Sequence, residues 1–464
     1  MPDDFGTHVV GPRYLTQDVP GVGGKIKQRP EDFIVEEVPL YDPCGSGEHI
    51  YMLVEKRGMS SVELVSTLAA HFGVRRHQIG QAGLKDKWAV TRQVVSIHVP
   101  GKRPEDFPSL QHEKLTVMWV DLHTNKLKRG HLSGNRFSIK IRGVEPTGVV
   151  HALAAMRTLE QRGLPNRVGK QRFGYMLNNH EIGRCIITER YEEATRLLLG
   201  TGPLAPESQH EARALFDRGE YTAALDCFPR QFRNETLLLR ALEQGCDFEE
   251  AWQRIDRTAT GFYISAIQSA VFNAVLNHRI EDETFDKLLN GDLAFVMNRR
   301  RTFPIDETNQ EIPRTLDRLQ RFQISPSGPM WGSDMLRCTG EIDAMEREAL
   351  ASTGLTPADL DNAEARDLEM AGGGRRPLRV RVKDAEVEGG LDEHGPYIRC
   401  AFELPRGSFA TTVLDEIIKE DPLREDRDRA ARGGQQSPSG APSEAADETV
   451  DDGPDHDGAG EDGR

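Results

Sequence analysis

Between a helical pattern and a strand pattern, residues 81–93 read Gln81-Ala82-Gly83-Leu84-Lys85-Asp86-Lys87-Trp88-Ala89-Val90-Thr91-Arg92-Gln93. Loops that hold reactive groups on a rigid scaffold commonly combine glycine with charged and amide side chains in this way. Lys85 and Lys87 flank Asp86, and neighbouring cations would keep its carboxylate ionised and available as a nucleophile or base. Composition alone favours the plainer interpretation, a charged turn in which Asp86 makes a local backbone hydrogen bond.

The residues around this loop alternate strand and helix patterns. Apolar and β-branched runs predict strands over 25–38, 48–54, 94–99, 115–120 and 137–141. Ser60-Ser61-Val62-Glu63 is typical of a capping box, and the apolar spacing after it predicts a helix over 61–71. The first part of the chain is therefore expected to be α+β, with a mostly antiparallel mixed sheet flanked by helices.

From about Val149 the sequence becomes mainly helical and later returns to strands. Amphipathic helices are predicted over 151–161, 192–199 and 265–279, strands over 378–382 and 397–404, and a last helix over 410–419. This order indicates one domain interrupted by another. We expect a catalytic domain over 1–164 that resumes over 375–420, and a helix-rich insertion over 165–374. The tail over 421–464 has few apolar residues and is predicted to be disordered.

Composition narrows the class of protein. The chain has 464 residues and a formal net charge of −15, which is unusual for a nucleic-acid enzyme. The tail holds nine acidic residues after Gly433, and the remaining acidity would suit a salt-rich cytoplasm. No apolar run is long enough to span a bilayer, no signal peptide is evident, and the six cysteines are scattered singly. These features predict a soluble, cytoplasmic protein with reduced thiols and no zinc site.

Six ordered segments resemble motifs of the TruD family of tRNA pseudouridine synthases. They span residues 24–419 and are 27–37 (KQRPEDFIVEE), 82–93 (AGLKDKWAVTRQ), 126–137 (KLKRGHLSGNRF), 165–174 (PNRVGKQRFG), 265–273 (SAIQSAVFN) and 407–411 (GSFAT). The resemblance implies the pseudouridine synthase fold with a TruD-specific insertion. It also implies an isomerase that uses neither cofactor nor metal, and a tRNA substrate modified at the uridine of position 13.

The same resemblance assigns roles to individual residues. Asp86 would be catalytic, either by attacking C1′ of the ribose or by removing the 2′ proton, and both routes stay open. A flipped uracil is usually held by aromatic faces and by hydrogen bonds to its edge. We expect the stacking to come from Phe33, Phe137 and Phe409 and the edge contact from Asn135, although a core position is the ordinary place for each phenylalanine. Further substrate contacts are predicted for Lys85 and Arg172, the latter as a clamp or as a buried support.

Contacts to the RNA backbone are expected from a basic segment. Residues 124–142 contain six cations and no acidic residue, which gives a local electrostatic footprint that the total charge hides. The predicted backbone contacts are Lys126, Lys128, Arg129 and Arg136.

Two departures from the family pattern and two alternative functions remain open. Arg167-Val168 stands where the family usually has an aromatic pair, and Asp415 stands where it often has arginine. One alternative is an RNA-binding protein without catalysis. The other is a nucleobase glycosylase that uses paired carboxylates such as Glu36 and Asp86. Partners are expected to be tRNA alone, without membrane or nucleotide cofactor, and the protein is expected to be a monomer.

Overall fold

The structure is a computed structural model that describes residues 13–365 and 372–419, so the predicted disordered tail lies outside the described residues. The strands are β1 (Phe33–Pro39), β2 (His49–Arg57), β3 (Ile79–Gln81), β4 (Val90–His98), β5 (Leu115–His123), β6 (Leu132–Arg142), β7 (Leu164–Pro165), β8 (Leu293–Val296), β9 (Arg301–Pro304), β10 (Ile324–Met330), β11 (Gly374–Pro377), β12 (Arg379–Val380), β13 (Lys383–Asp392) and β14 (Gly395–Pro405).

The helices of the described residues alternate with these strands and dominate the middle of the chain. They are α1 (Ser61–Phe72), α2 (Val149–Arg162), α3 (Asn179–Ile187), α4 (Tyr191–Leu199), α5 (His210–Asp217), α6 (Tyr221–Cys227), α7 (Arg233–Glu243), α8 (Phe248–Gln253), α9 (Arg257–Glu281), α10 (Pro313–Gln320), α11 (Gly340–Ser352), α12 (Pro357–Ala365) and α13 (Ala410–Ile418).

A mixed eight-stranded sheet forms the centre of the fold. Its strands follow the order β13-β14-β6-β1-β4-β2-β5, with β3 paired to β4. Only β1 and β4 run parallel; the other neighbours are antiparallel. The predicted α+β class with a mostly antiparallel mixed sheet is confirmed. The late strand β14 pairs along β6, so the end of the chain completes the sheet that its beginning starts.

The sheet is joined to the helical region by a short two-stranded ladder. β7 pairs with β12, with Pro165 opposite Arg379 and Leu164 opposite Val380. These pairs lie close to the boundaries that the sequence predicts at residues 165 and 375, and those domain boundaries stay a prediction.

The longest helix, α9, is the core of the helical region. It packs against α3, α11 and β10, and sixteen of its side chains are buried. Among the described residues it is the one helix long and apolar enough to cross a membrane by composition, and 72% of its apolar window is buried inside the protein. The sequence predicts this helix over 265–279. The observed helix begins earlier because the Asp256 side chain accepts a hydrogen bond from the Thr258 amide and caps it.

Local hydrogen bonding and proline geometry set two other element boundaries, at the start of α1 and at the start of β1. The predicted capping box of α1 is present: Ser60 Oγ accepts from the Glu63 amide, and Glu63 accepts from the Ser60 amide. β1 begins at Phe33 rather than at residue 25, because Pro30 starts a 3₁₀ turn that ends at Asp32.

The main core lies between one face of the sheet and the helices α2 and α13. It contains Phe33 and Phe137 from the strands together with Leu159 and Leu414 from the helices. Phe33 is 5% exposed and Phe137 is 7% exposed. Two of the three predicted stacking residues therefore have their rings within the core of the sheet.

Candidate active site

The catalytic-loop candidate, residues 82–89, joins β3 to β4 and is held from beneath by a buried lysine. Lys56 is fully buried on β2. Its Nζ donates to the main-chain oxygens of Met59 at 2.7 Å, Asp86 at 2.8 Å and Lys85 at 3.2 Å. A buried ammonium with several carbonyl acceptors fixes the backbone of the loop. The position of Asp86 is thereby set by the sheet.

The Asp86 carboxylate is bound on both oxygens and remains partly open. Oδ1 accepts a hydrogen bond from the Trp88 amide at 2.9 Å, and Oδ2 is paired with Lys27 Nζ. About a third of the side chain is exposed, 32%. The carboxylate is thus oriented by the protein while one side of it stays accessible to a substrate.

The electrostatics of this pair favour the ionised carboxylate. Burial raises the pKa of Asp86, but the charge and hydrogen bond of Lys27, the Trp88 amide and the charge of Lys56 together lower the pKa below its ordinary value. At neutral pH the group is therefore an anion, which is the form needed for nucleophilic attack or proton abstraction.

Lys27 is a further candidate site residue, which the sequence did not single out. Its backbone adopts a left-handed conformation, with φ of 56°, and its amine lies 4.7 Å from the centre of the Phe33 ring. Only 8% of its side chain is exposed. The sequence signal was present, because Lys27 opens the first of the TruD-like segments, but nothing local linked it to a loop 59 residues away.

The predicted aromatic residues fall into two groups. Phe33 and Phe137 form an edge-to-face pair with ring centres 6.5 Å apart, and Phe402 packs on Phe137 at 5.5 Å. Phe409 is half-buried in the connection between β14 and α13. Phe409 is therefore the more accessible candidate for stacking. The rings of Phe33 and Phe137 pack against each other in the core, and the Phe33 ring contacts Lys27.

The predicted edge contact, Asn135, carries an unsatisfied acceptor. It lies opposite Glu37 of β1 and Leu404 of β14. Its Oδ1 is buried and finds no hydrogen-bond partner within residues 13–365 and 372–419. A buried polar atom without a partner costs free energy unless a ligand satisfies it.

Two more such acceptors lie on the neighbouring strand. Within the same described ranges, Thr91 Oγ1 and Gln93 Oε1 on β4 are buried without hydrogen-bond partners. Val35 lies opposite both Thr91 and Phe137 in the register, and strand side chains alternate in direction. The three unsatisfied acceptors therefore share the face that carries Phe33 and Phe137.

Lys85 occupies a different place from the one predicted. Its Nζ forms an ion pair with Glu37 Oε2 at 2.8 Å, with side-chain exposures of 5% for Lys85 and 1% for Glu37. Glu37 Oε1 also accepts from the Val94 amide at 3.2 Å. These contacts connect the catalytic-loop candidate to β1 and β4, so the geometry favours support of the loop by Lys85 over contact with a substrate.

Arg172 belongs to the helical region. It lies in a 3₁₀ turn, Lys170–Phe173, where its Nη1 donates to Ser265 Oγ at 2.9 Å. Its guanidinium also lies 5.1 Å from the centre of the Phe262 ring. Of the two interpretations that the sequence allows, this burial against α9 fits the supporting one.

The basic segment adjoins the catalytic loop in part. The Gly130 amide donates to the Ala82 carbonyl at 2.8 Å, which places Lys128 and Arg129 near the start of that loop. Lys126 donates to the main chain of His77. Arg136 lies 3.6 Å from Glu403 and, by strand alternation, on the opposite face from Asn135. Three of the four cations therefore lie in the loop between β5 and β6, and the fourth, Arg136, lies on β6.

The paired-carboxylate alternative finds no support in the geometry. Glu36 lies between Phe33 and Val38 on β1, and its side chain alternates to the face opposite Val35 and Glu37. Its register partners are Arg92 and Arg136. Among the described residues, no group of three or more His, Cys, Asp or Glu side chains is placed to hold a metal ion.

Comparisons with known proteins agree on one family. The family model of tRNA pseudouridine synthase D (TruD) matches residues 9–417. The chain is 39% identical to a tRNA pseudouridine synthase D of Geobacter metallireducens over 409 residues, 88% of this chain and 98% of the relative. It is 40% identical to one of Geobacter sp. strain M21 over 410 residues, 88% and 99% of the two chains.

A solved structure agrees with the sequence relatives. The crystal structure of a Methanosarcina mazei protein described as a putative tRNA pseudouridine synthase D superposes with a TM-score of 0.78 at 25% sequence identity. The match covers 89% of this chain and 98% of that one. The structural match and the sequence matches therefore carry the same family description.

Proposed function

Because the chain belongs to the TruD family of tRNA pseudouridine synthases, we propose that Asp86 is its catalytic residue and that its target is the uridine at position 13 of tRNA. The observation that carries this proposal is the Asp86 carboxylate, which is paired with Lys27, held by the Trp88 amide and still 32% exposed. A carboxylate kept ionised beside a polar, partly unsatisfied sheet face suits a reaction at the ribose of a flipped nucleotide.

The reaction rearranges one nucleotide without net change of atoms. The bond from N1 of uracil to C1′ breaks, the base turns, and a bond from C5 to C1′ forms; the proton leaves C5 and N1 gains one. Asp86 would start this sequence by attacking C1′ or by removing the 2′ proton. Lys27 would keep Asp86 ionised in either route. Because the base has to be held while it turns, the contacts to its edge matter as much as the carboxylate.

We assign the recognition of the base to the unsatisfied acceptors of the sheet. The N3–H group of uracil could donate a hydrogen bond to Asn135 Oδ1. This hydrogen bond would remove the free-energy cost of the unpaired, buried Oδ1 atom. Phe409 is the ring that we assign to stacking, because it is half-buried whereas Phe33 and Phe137 are core residues. Lys128 and Arg129 would bind phosphates near the mouth of the loop, together with Lys126 and Arg136.

The target position is tested by mapping pseudouridine in tRNA transcripts treated with the purified enzyme. We expect carbodiimide-reactive pseudouridine at position 13 and at no other position, with the RNA mass unchanged. A transcript with cytidine at position 13 is the matched control and should stay unmodified. Modification at another uridine would refute the position, and release of free uracil would support a glycosylase instead.

We further propose that the protein is a soluble, cytoplasmic monomer that needs no nucleotide cofactor or metal. Light scattering coupled to size-exclusion chromatography should give a mass near the 51.8 kDa of one chain. A mass of about twice that value would refute the monomer.

A further inference from the structure

A cavity of about 860 Å³ in the helical region is lined by arginines. It lies between the hairpin β8–β9 and helix α10, and its walls include Arg299, Arg301, Arg314 and Arg318 together with Phe303. We propose that this arginine cavity binds the sugar-phosphate backbone of the RNA substrate, away from the target uridine. This inference rests on the proposed function only in that the RNA is tRNA.

The charge of the cavity is not balanced by the protein. In the part of the chain that the structure describes, no carboxylate lies within ion-pair distance of any of the four arginines. The single acidic residue in the wall, Asp317, accepts a hydrogen bond from Arg321 at 2.9 Å and is therefore already paired. Unpaired cations grouped around a cavity repel one another unless an anion occupies it. Because the whole chain has a net charge of −15, a local group of four arginines is not explained by its overall composition.

The exposure of the arginine side chains suits binding of a phosphodiester chain. Arg299, Arg301 and Arg314 are exposed, so their guanidinium groups can reach an extended ligand. Arg318 is half-buried, and its guanidinium lies 5.5 Å from the centre of the Phe303 ring. A stacked guanidinium keeps its N–H edge available for the oxygens of a phosphate. Several phosphates in a row would match these arginines better than one compact anion.

The cavity is fixed to the end of the sheet domain. Arg379 donates to the carbonyl of Arg162 at the end of α2 and to that of Leu319 in α10, both at 2.7 Å. Its guanidinium also lies 4.6 Å from the centre of the Phe322 ring, which lines the cavity. A ligand in the arginine cavity therefore contacts helix α10 and Phe322, which Arg379 connects to the ladder β7–β12.

The surface between the arginine cavity and the strand end that carries Asn135 holds both cations and carboxylates, among them Arg381, Glu160 and Asp384. A second cavity of about 750 Å³ shares Phe322 with the first and extends to Lys383 at the start of β13. Lys383 lies opposite Glu403, which lies opposite Arg136. Because neighbouring strands are about 4.8 Å apart, Lys383 and Arg136 are separated by roughly 10 Å. Arg136 and Asn135 point to opposite faces of the sheet, so an RNA strand that reaches both Asn135 and the arginine cavity has to cross this end of the sheet.

The test is the affinity for unmodified tRNA and its dependence on salt. The double variant Arg301→Gln and Arg314→Gln removes two exposed cations, and its melting curve should match that of the wild type. We expect its Kd for tRNA to rise by about tenfold or more at roughly 0.1 M salt. The slope of log Kd against log salt should fall by about 2, because each of the two arginines neutralises one phosphate in the wild type.

The matched control is Arg196→Gln with Arg218→Gln, which removes the same charge from exposed arginines that are paired with Glu192 and Glu220. Its Kd should stay within twofold of the wild type. If both double variants weaken binding equally, the effect is one of net charge and the inference is wrong. If neither changes the Kd, it is also wrong.

Two further arms separate the sources of the phosphate and the two proposals. Inorganic phosphate should compete with tRNA no more than chloride does at equal ionic strength; strong competition confined to the wild type would make a small phosphate compound the ligand and overturn the RNA assignment. A wild-type enzyme that binds tRNA through these arginines but does not modify position 13 would refute the proposed target and leave this inference standing.

Discussion

Replacing Lys56 by methionine would test whether one buried ammonium positions the catalytic loop. Its three hydrogen bonds to carbonyls, of 2.7, 2.8 and 3.2 Å, come from a charged donor and contribute about 1.5–3 kcal/mol each. Methionine has similar length and avoids the desolvation of a buried charge, which costs several kcal/mol. The three lost hydrogen bonds outweigh the desolvation cost that is avoided, so we expect the free energy of unfolding to decrease by about 2–4 kcal/mol.

The activity of this variant should fall further than its stability suggests. Two of the three carbonyls belong to Lys85 and Asp86, so the backbone that orients the carboxylate is no longer held. A displacement of about 1 Å at a reacting group costs roughly 100-fold in rate. We therefore expect kcat for pseudouridine formation to drop by about two orders of magnitude at a temperature where the variant is folded.

The assay combines urea unfolding with single-turnover conversion of tRNA. Lys114→Met is the matched control, because that side chain is 50% exposed and lies 3.7 Å from Glu113; it should change the free energy of unfolding by less than about 0.5 kcal/mol. A Lys56→Met protein with wild-type kcat would refute the role of Lys56 in positioning Asp86, whatever its stability.

Three more outcomes follow from the geometry. Lys27 lowers the pKa of Asp86, so Lys27→Met should raise that pKa and move the acidic limb of the kcat/KM profile to higher pH. Lys27→Arg keeps the positive charge and should leave the acidic limb in place. An acidic limb that does not move in Lys27→Met would contradict the role of Lys27. Asn135→Ala should lower kcat/KM about tenfold or more. The urea midpoint should not change, because Asn135 Oδ1 has no hydrogen-bond partner in the described residues. A large decrease in stability would show that Asn135 has a structural role instead. Burial lowers the pKa of His180 to about 4, below its ordinary 6.5. The neutral histidine therefore contributes about 3 kcal/mol of stability that is present above pH 6.5 and is lost as the pH falls to 4. If the difference in unfolding free energy between the wild type and His180→Phe does not change with pH, this prediction is wrong.

Much of the fold could be predicted because local patterns encode it. The capping box at Ser60 and Glu63 indicated the start of α1, and alternation over Phe137, Ile139 and Ile141 indicated β6. The order of the strands could not be predicted in this way. The parallel pairing of β1 with β4 and the late return of β14 to β6 depend on contacts between distant segments, and these arise from packing rather than from periodicity.

The candidate site shows the same division. Asp86 could be found because a motif surrounds it, whereas Lys27 could not, since its link to Asp86 exists only after β1 and β4 pair. Lys85 lies beside Asp86 in sequence, but its amine pairs with Glu37, which is distant in sequence. Phe33 and Phe409 were given the same role, but one is 5% exposed and the other half-buried. Burial of that kind depends on the whole core.

The most direct test of the central claim is single-turnover modification of tRNA by Asp86→Asn. Asparagine keeps the size of the side chain and removes its charge, so tRNA affinity should stay close to the wild type. The urea midpoint should fall, because the buried Lys27 ammonium loses its counter-ion, and the rate is therefore measured at a temperature where the variant is folded. Pseudouridine formation should fall by at least about a thousandfold. Asp226→Asn, at an exposed position of α6, should retain full activity. An Asp86→Asn enzyme that still forms pseudouridine within about tenfold of the wild-type rate would contradict the assignment of Asp86 as the catalytic residue.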